Sequence, residues 1–276
     1  MNDKLKLWNN YPHWDDAEKA WNEGSQKKAL EQPLKIPRHF PSIPGITKKT
    51  AAGLKWKSLR YILKHDENRV IPRYFFKRPI RYTISLLKSL LKKKSYVRDD
   101  DFFLYGIQNL EEFKQLLVKP NTLLVVGFSY CHKPHECPSG RFTTDCIHEA
   151  EHPVCRQCFI GKVVHSLPEK GVIPLFITTI HYIGEKIFEI VHAHPDKQVI
   201  FLITACEMTL EMFGDWGNMV SIQGVGVRLD GRICNTMKAF ELSEAGVKPG
   251  LTVVLSHTEK RILDLIKIRR NHTQIT

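Results

Sequence analysis

Five of the seven cysteines of this chain fall between Cys131 and Cys158. They run as C-x5-C (Cys131, Cys137), then Cys146, then C-x2-C (Cys155, Cys158), with eight residues before and after Cys146. A C-x2-C pair presents two sulfurs to one centre from a tight turn, which is why the spacing recurs at zinc and iron–sulfur sites. A second pair just upstream strengthens the signal, as do His132, His135, His148 and His152 in the same segment. Clustered cysteines in odd number, with no leader-like apolar segment at Met1–Trp8, argue for metal binding or thiol chemistry over a secreted disulfide framework.

The elements expected around these residues strengthen the reading. From Thr122 onward, short apolar runs alternate with helix-length segments. Leu123–Phe128, Val172–Ile177, Val199–Ile203, Val220–Val227 and Thr252–Leu255 read as strands. Helices are expected at Arg156–Leu167, Ile183–His192, Glu207–Phe213, Thr236–Ala245 and Thr258–Arg269. Such alternation predicts an α/β fold: a mostly parallel, doubly wound (Rossmann-like or flavodoxin-like) three-layer sandwich. Cys131 follows the first of these strands, Cys206 the third and Cys234 the fourth. Ligand sites gather at the carboxyl edge of parallel sheets, so these three are expected to converge with Cys155 and Cys158. The predicted metal ligands are therefore Cys131, Cys137, Cys155 and Cys158, with Cys206 and Cys234 next. Cys146 and the histidines are ligands or neighbours, and His132 and His135 are expected in an exposed loop. Four thiolates suit zinc and iron–sulfur alike. Six candidates exceed the need of one zinc ion, which tilts the choice toward iron–sulfur.

Upstream, residues 1–70 read as an extended arm containing Pro33, Pro37, Pro41 and Pro44, anchored through Trp8, Tyr11, Trp14 and Trp21. Residues 71–119 read as a basic helical extension, and residues 120–276 as the cysteine-rich domain. Net charge is +12, and residues 51–100 hold 14 Lys/Arg against 4 Asp/Glu. Nine basic and no acidic residues lie between Val70 and Arg98. Such a segment fits an anionic partner, a nucleic acid or a membrane surface. A helix from Pro79 carries Ile80, Ile84, Leu87 and Leu91 on one face and Arg81, Ser85, Lys88 and Lys92 on another, with Lys92–Lys94 near its end. The favoured expectation is that the apolar face packs on the domain and the basic face is solvated. Asp99–Asp101 reads as a turn, and a short helix follows over Asn109–Leu117.

Other motifs carry less. Gly224-Val225-Gly226 lacks the third glycine of a dinucleotide fingerprint, and neither a phosphate loop nor a serine nucleophile elbow occurs. Glu207 is a general-base candidate or a helix N-terminal charge. Asn235-Thr236 is a ligand-facing turn or, as favoured, a helix cap. No apolar run is long enough to span a bilayer. The expected location is the cytoplasm, with the basic segment offering a peripheral membrane contact.

Over roughly residues 120–255 the sequence resembles the domain of unknown function 116 family. The likeness rests on Cys131 and Cys137, Cys155-Arg-Gln-Cys158-Phe-Ile-Gly161, Ala205-Cys206-Glu207, and Cys234-Asn235-Thr236. It implies a cysteine-rich α/β domain holding a metal or cluster, and no particular reaction. The chain departs from the expected pattern in having Arg156-Gln157 inside the C-x2-C turn and Met208-Thr209 after Glu207. The leading expectation is a metal-binding protein with an iron–sulfur or zinc centre, acting as a redox or accessory enzyme. Two alternatives stand beside it. One is an interaction module with structural zinc and an anion-binding basic segment; the other is a thiol oxidoreductase using Cys155 and Cys158.

Overall fold

The computed structural model describes residues 6–36, 45–66, 69–91, 95–220 and 223–275. Strands β1 (Val97–Asp99), β2 (Phe102–Tyr105), β3 (Thr122–Ser129), β4 (Val172–Ile177), β5 (Gln198–Ala205) and β6 (Gln223–Arg228) form one sheet in the order β1-β2-β6-β5-β3-β4. The last four are parallel, whereas β2 is antiparallel to β6 and β1 to β2. The protein is thus mixed α/β with a six-stranded, mostly parallel sheet.

Twelve α-helices accompany the sheet among the described residues. Before β1 come α1 (Trp14–Glu31), α2 (Lys48–Ala51), α3 (Leu54–Lys64), α4 (Val70–Phe75) and α5 (Pro79–Leu91). Then follow α6 (Leu110–Leu117), α7 (Pro153–Gln157), α8 (Phe159–Ser166), α9 (Ile180–Ala193), α10 (Glu207–Met219), α11 (Met237–Glu244) and α12 (Ser256–Ile275). Because β3 and β5 are apolar at nearly every position, alternate side chains feed two cores. Leu124, Val126 and Phe128 pack with α6, α8 and α12; Leu123, Val125 and Phe201 pack with α3, α9 and α10.

Several expectations need correction. Trp14–Glu31 is an 18-residue helix, not an extended arm. Its few apolar side chains suffice because Trp8 and Trp21 bury completely and stack near each other, with ring centroids 5.9 Å apart. Pro37, Pro41 and Pro44 lie outside the described residues, as do Lys92–Lys94. The sheet begins upstream of residue 120, since Phe102–Tyr105 is a buried strand paired with β6. Thr252–Val253 (β8) pairs instead with Asp230–Gly231 (β7) in a separate two-stranded ribbon, away from the parallel sheet. The helix expected over Arg156–Leu167 is broken at Cys158, whose backbone is extended (φ −81°, ψ 127°).

The helix expected from Pro79 is present, but it faces the other way. Its Tyr82 is buried against Phe75 and Phe188, while Ile80, Ile84, Leu87 and Leu91 are exposed. The buried side is instead the one carrying Tyr82, whose ring meets Phe75 and Phe188.

Candidate metal centre

The seven cysteines are free thiols. They fall into two groups, and the division differs from the one their spacing suggests.

Cys137, Cys146, Cys155 and Cys158 line one small cavity of about 20 Å³, together with Lys133 and His148. The break between α7 and α8 sets the C-x2-C pair. His152 caps α7 by accepting a bond from the Val154 N–H, and Cys158 ends that helix while starting α8. The Cys158 sulfur thereby meets the Ile160 and Gly161 N–H groups at the start of α8. A Cβ at Gly161 would stand 2.4 Å from the Cys155 carbonyl oxygen, so the turn requires glycine. Burial pushes the Cys155 thiol up to about 11 and Cys158 up to about 12. It also raises Cys146.

The loop from Cys137 to Cys146 is held by a buried lysine. Lys133 Nζ donates to the carbonyls of Gly140 (3.3 Å), Thr143 (2.9 Å) and Asp145 (2.7 Å), and to Thr143 Oγ1 (3.0 Å). Burial lowers this ammonium, while Cys137, Cys146 and Cys158 oppose that shift by favouring its charge. The Lys133 cation therefore complements whatever negative charge the thiols acquire.

Cys131, Cys206 and Cys234 form the second group at the carboxyl edge of the sheet. In the parallel part, β4 lies on one side of β3 and β5 on the other, so the winding reverses between β3 and β5. Cys131 lies just after β3, and Cys206 is the N-cap of α10 just after β5, which puts both at the topological switch point. Cys206 and Cys234 share a hydrogen bond, and Lys248 Nζ donates to Cys234 Sγ at 3.2 Å. The Cys206 bond first and the Lys248 ammonium next lower Cys234, whereas its partner Cys206 is raised. Thr209 Oγ1 lies 3.3 Å from Cys206 Sγ and Ser243 Oγ 3.3 Å from Cys234 Sγ.

Arg141 ties the two regions together. It donates to the carbonyls of Lys133 (3.1 Å), Lys248 (2.8 Å), Gly250 (3.0 Å) and Cys131 (3.3 Å). Beside the second group, Cys131 and Cys206 line a small cavity with Thr178, Thr179 and Glu244. These last three also line a larger cavity of about 450 Å³ that includes Tyr61, His65 and His181. Glu244 accepts a bond from the Ile180 N–H at the start of α9, yet burial raises its carboxyl to about 8. A cavity of this size, next to thiols at the switch point, has the dimensions and placement of a small-molecule site.

Of the predicted residues, Cys137, Cys155 and Cys158 line one cavity, while Cys131 stands with Cys206 and Cys234. Cys146, left open by the sequence, belongs with the first three. No three of the thiol sulfurs lie within 4.8 Å of one another; among the described residues the only compact set of metal-type donors is Asp100, Asp101 and His257. That set is an ion-pair network between the β1–β2 turn and α12, in which Arg228 lies 2.9 Å from Asp101 and Arg261 3.7 Å from Asp100. His135 is exposed, but His132 is buried against Phe159, which corrects its expected exposure. Glu207 is paired with Arg98 at 2.9 Å, and Thr236 caps α11 through the Ala239 N–H. Lys133, Lys248 and Arg141 carried no sequence signal, because their roles depend on burial beside thiols distant in the chain. No protein-family model, curated protein or solved structure matches this chain.

Proposed function

We propose that this chain is a metal-binding protein whose Cys137, Cys146, Cys155 and Cys158 hold an iron–sulfur cluster, with zinc as the alternative occupant. The observation that carries the reading is that four thiols, two from the α7–α8 break and two from the Cys137–Cys146 loop, line one cavity with a buried lysine. Four cysteines satisfy the donor set of either centre. One zinc at ~2.3 Å from each sulfur would hold the thiols about 3.8 Å apart. No three of the four sulfurs lie within 4.8 Å of one another, so a single ion would have to draw them inward. The small void instead favours a single ion. A redox centre would use the separate thiol group at the sheet edge, and on that ground iron–sulfur is preferred. A bound cluster would supply one-electron chemistry, and the chain's own residues would fix its position and charge.

Cys131, Cys206 and Cys234, beside the large cavity, support a second role as an accessory or redox enzyme for a small-molecule substrate. A thiol oxidoreductase built on Cys155 and Cys158 alone is less well supported, because burial raises both thiols whereas reactive ones are depressed. We read the fold more finely as a Rossmann-like three-layer sandwich, a view supported by helices on both sheet faces. The resemblance to the domain of unknown function 116 family and a cytoplasmic location belong to the same proposal. No helix among the described residues is long and apolar enough to cross a membrane.

Cys146→Ser is the discriminating variant, because spacing alone does not assign this residue. The expected result is loss of most iron and acid-labile sulfide from the anaerobically purified protein. Full metal content in that variant would refute the four-thiol assignment.

A further inference from the structure

We propose that α5 and the turn before it form a surface by which the protein lies on an anionic lipid bilayer. The inference rests on surface composition and is independent of the metal reading. Along α5, Ile80 (77% exposed), Ile84 (48%), Leu87 (54%) and Leu91 (87%) make one outward row, and Phe76 (74%) precedes it. At 100° per residue, the four helical positions fall within about 60° of arc. The opposite side is committed to the protein through Tyr82 and the half-buried Ser85 and Leu86, and the helix packs on α10. Rotation to bury the aliphatic row would pull Tyr82 out of its contacts with Phe75 and Phe188. The row is therefore fixed outward by the fold.

Its flank is cationic. Arg81 and Lys88 are exposed and lie about 60–100° around the helix from the aliphatic row, and Lys77 and Arg78 are exposed in the preceding turn. Between Val70 and Arg98 there is no acidic residue to neutralise them. Aliphatic side chains at acyl depth with lysine and arginine at the headgroups is the arrangement of an interfacial helix, whose affinity combines apolar burial with attraction to anionic lipid. Nucleic acid would use the cations but would leave five large apolar side chains in water. A second copy of the same face would bring its own cations into contact with these and offer no carboxylate from this segment in return.

The test is co-sedimentation of the full chain with phosphatidylcholine vesicles, with and without phosphatidylserine. Binding to the phosphatidylserine vesicles is expected, weakening with salt and falling roughly tenfold or more in both Ile84→Asp/Leu87→Asp and Arg81→Glu/Lys88→Glu. Because Ile84 and Leu87 are exposed, circular dichroism and metal content should stay unchanged; should the aspartate pair unfold, Ile84→Ser/Leu87→Ser carries the same expectation. Absence of binding to anionic vesicles would overturn the proposal. So would binding that survives the aliphatic substitutions, or retention on single-stranded RNA that charge reversal abolishes and those substitutions leave intact.

Discussion

Lys133 has the strongest claim among single residues to shape the centre without being a ligand. The residue is only 2% exposed, and its ammonium is satisfied by four oxygens of the loop carrying Cys146. Lys133→Met keeps the length of the side chain and removes the donor, which leaves three carbonyls without their partner. We expect a loss of about 2–4 kcal/mol in stability, read by thermal denaturation, and faster release of bound metal to a chelator. Unchanged stability and chelation rate would show that the loop holds itself. The sequence exposed the thiols but not this lysine, because Lys133 looks like any loop lysine until its burial is known. It also misassigned Cys131. Five residues separate Cys131 from Cys137, and the short helical turn at Tyr130–His132 keeps Cys131 at the sheet edge while the chain leads Cys137 away.

At the scale of elements, the α7–α8 break holds the Cys155–Cys158 pair, and its geometry depends on Gly161. A methyl there would collide with the Cys155 carbonyl, a rigid backbone atom, so Gly161→Ala must shift α7 against α8. The expected cost is about 1–3 kcal/mol, with metal content below wild type after purification. Wild-type stability and loading in that variant would count against the turn as the organiser of the pair. The same element explains why Arg156 and Gln157 occupy the C-x2-C turn. Arg156 lies over the Trp21 ring at 4.7 Å and donates to the Ala20 carbonyl, while Gln157 donates to the Gln32 carbonyl. Both side chains dock α1, which their small number of apolar partners in the sequence did not reveal. The strands of the parallel sheet were legible, β4 to the residue, because each is a continuous apolar run between turn signals, although β4 at the sheet edge is only half-buried. β2 was missed because four residues after three aspartates look like the end of a turn, and only pairing with β6 makes them a strand.

Across the whole molecule, three features separate in space and in kind: a four-thiol cavity, a three-thiol edge beside a large pocket, and a cationic helix with its aliphatic row outward. Periodicity identified that helix but could not orient it, since an amphipathic pattern states that two faces differ and leaves open which one the protein takes. The charge excess, read as an anion-seeking segment, thus gained an apolar companion that composition does not reveal. The claim on which the rest depends is the metal centre. It is tested most directly by anaerobic purification followed by iron, acid-labile sulfide, zinc and visible absorption on one sample. The account predicts iron with matching sulfide and a broad band near ~400 nm that bleaches on reduction. A colourless protein with no iron would contradict the cluster, and one lacking zinc as well would contradict a metal centre altogether.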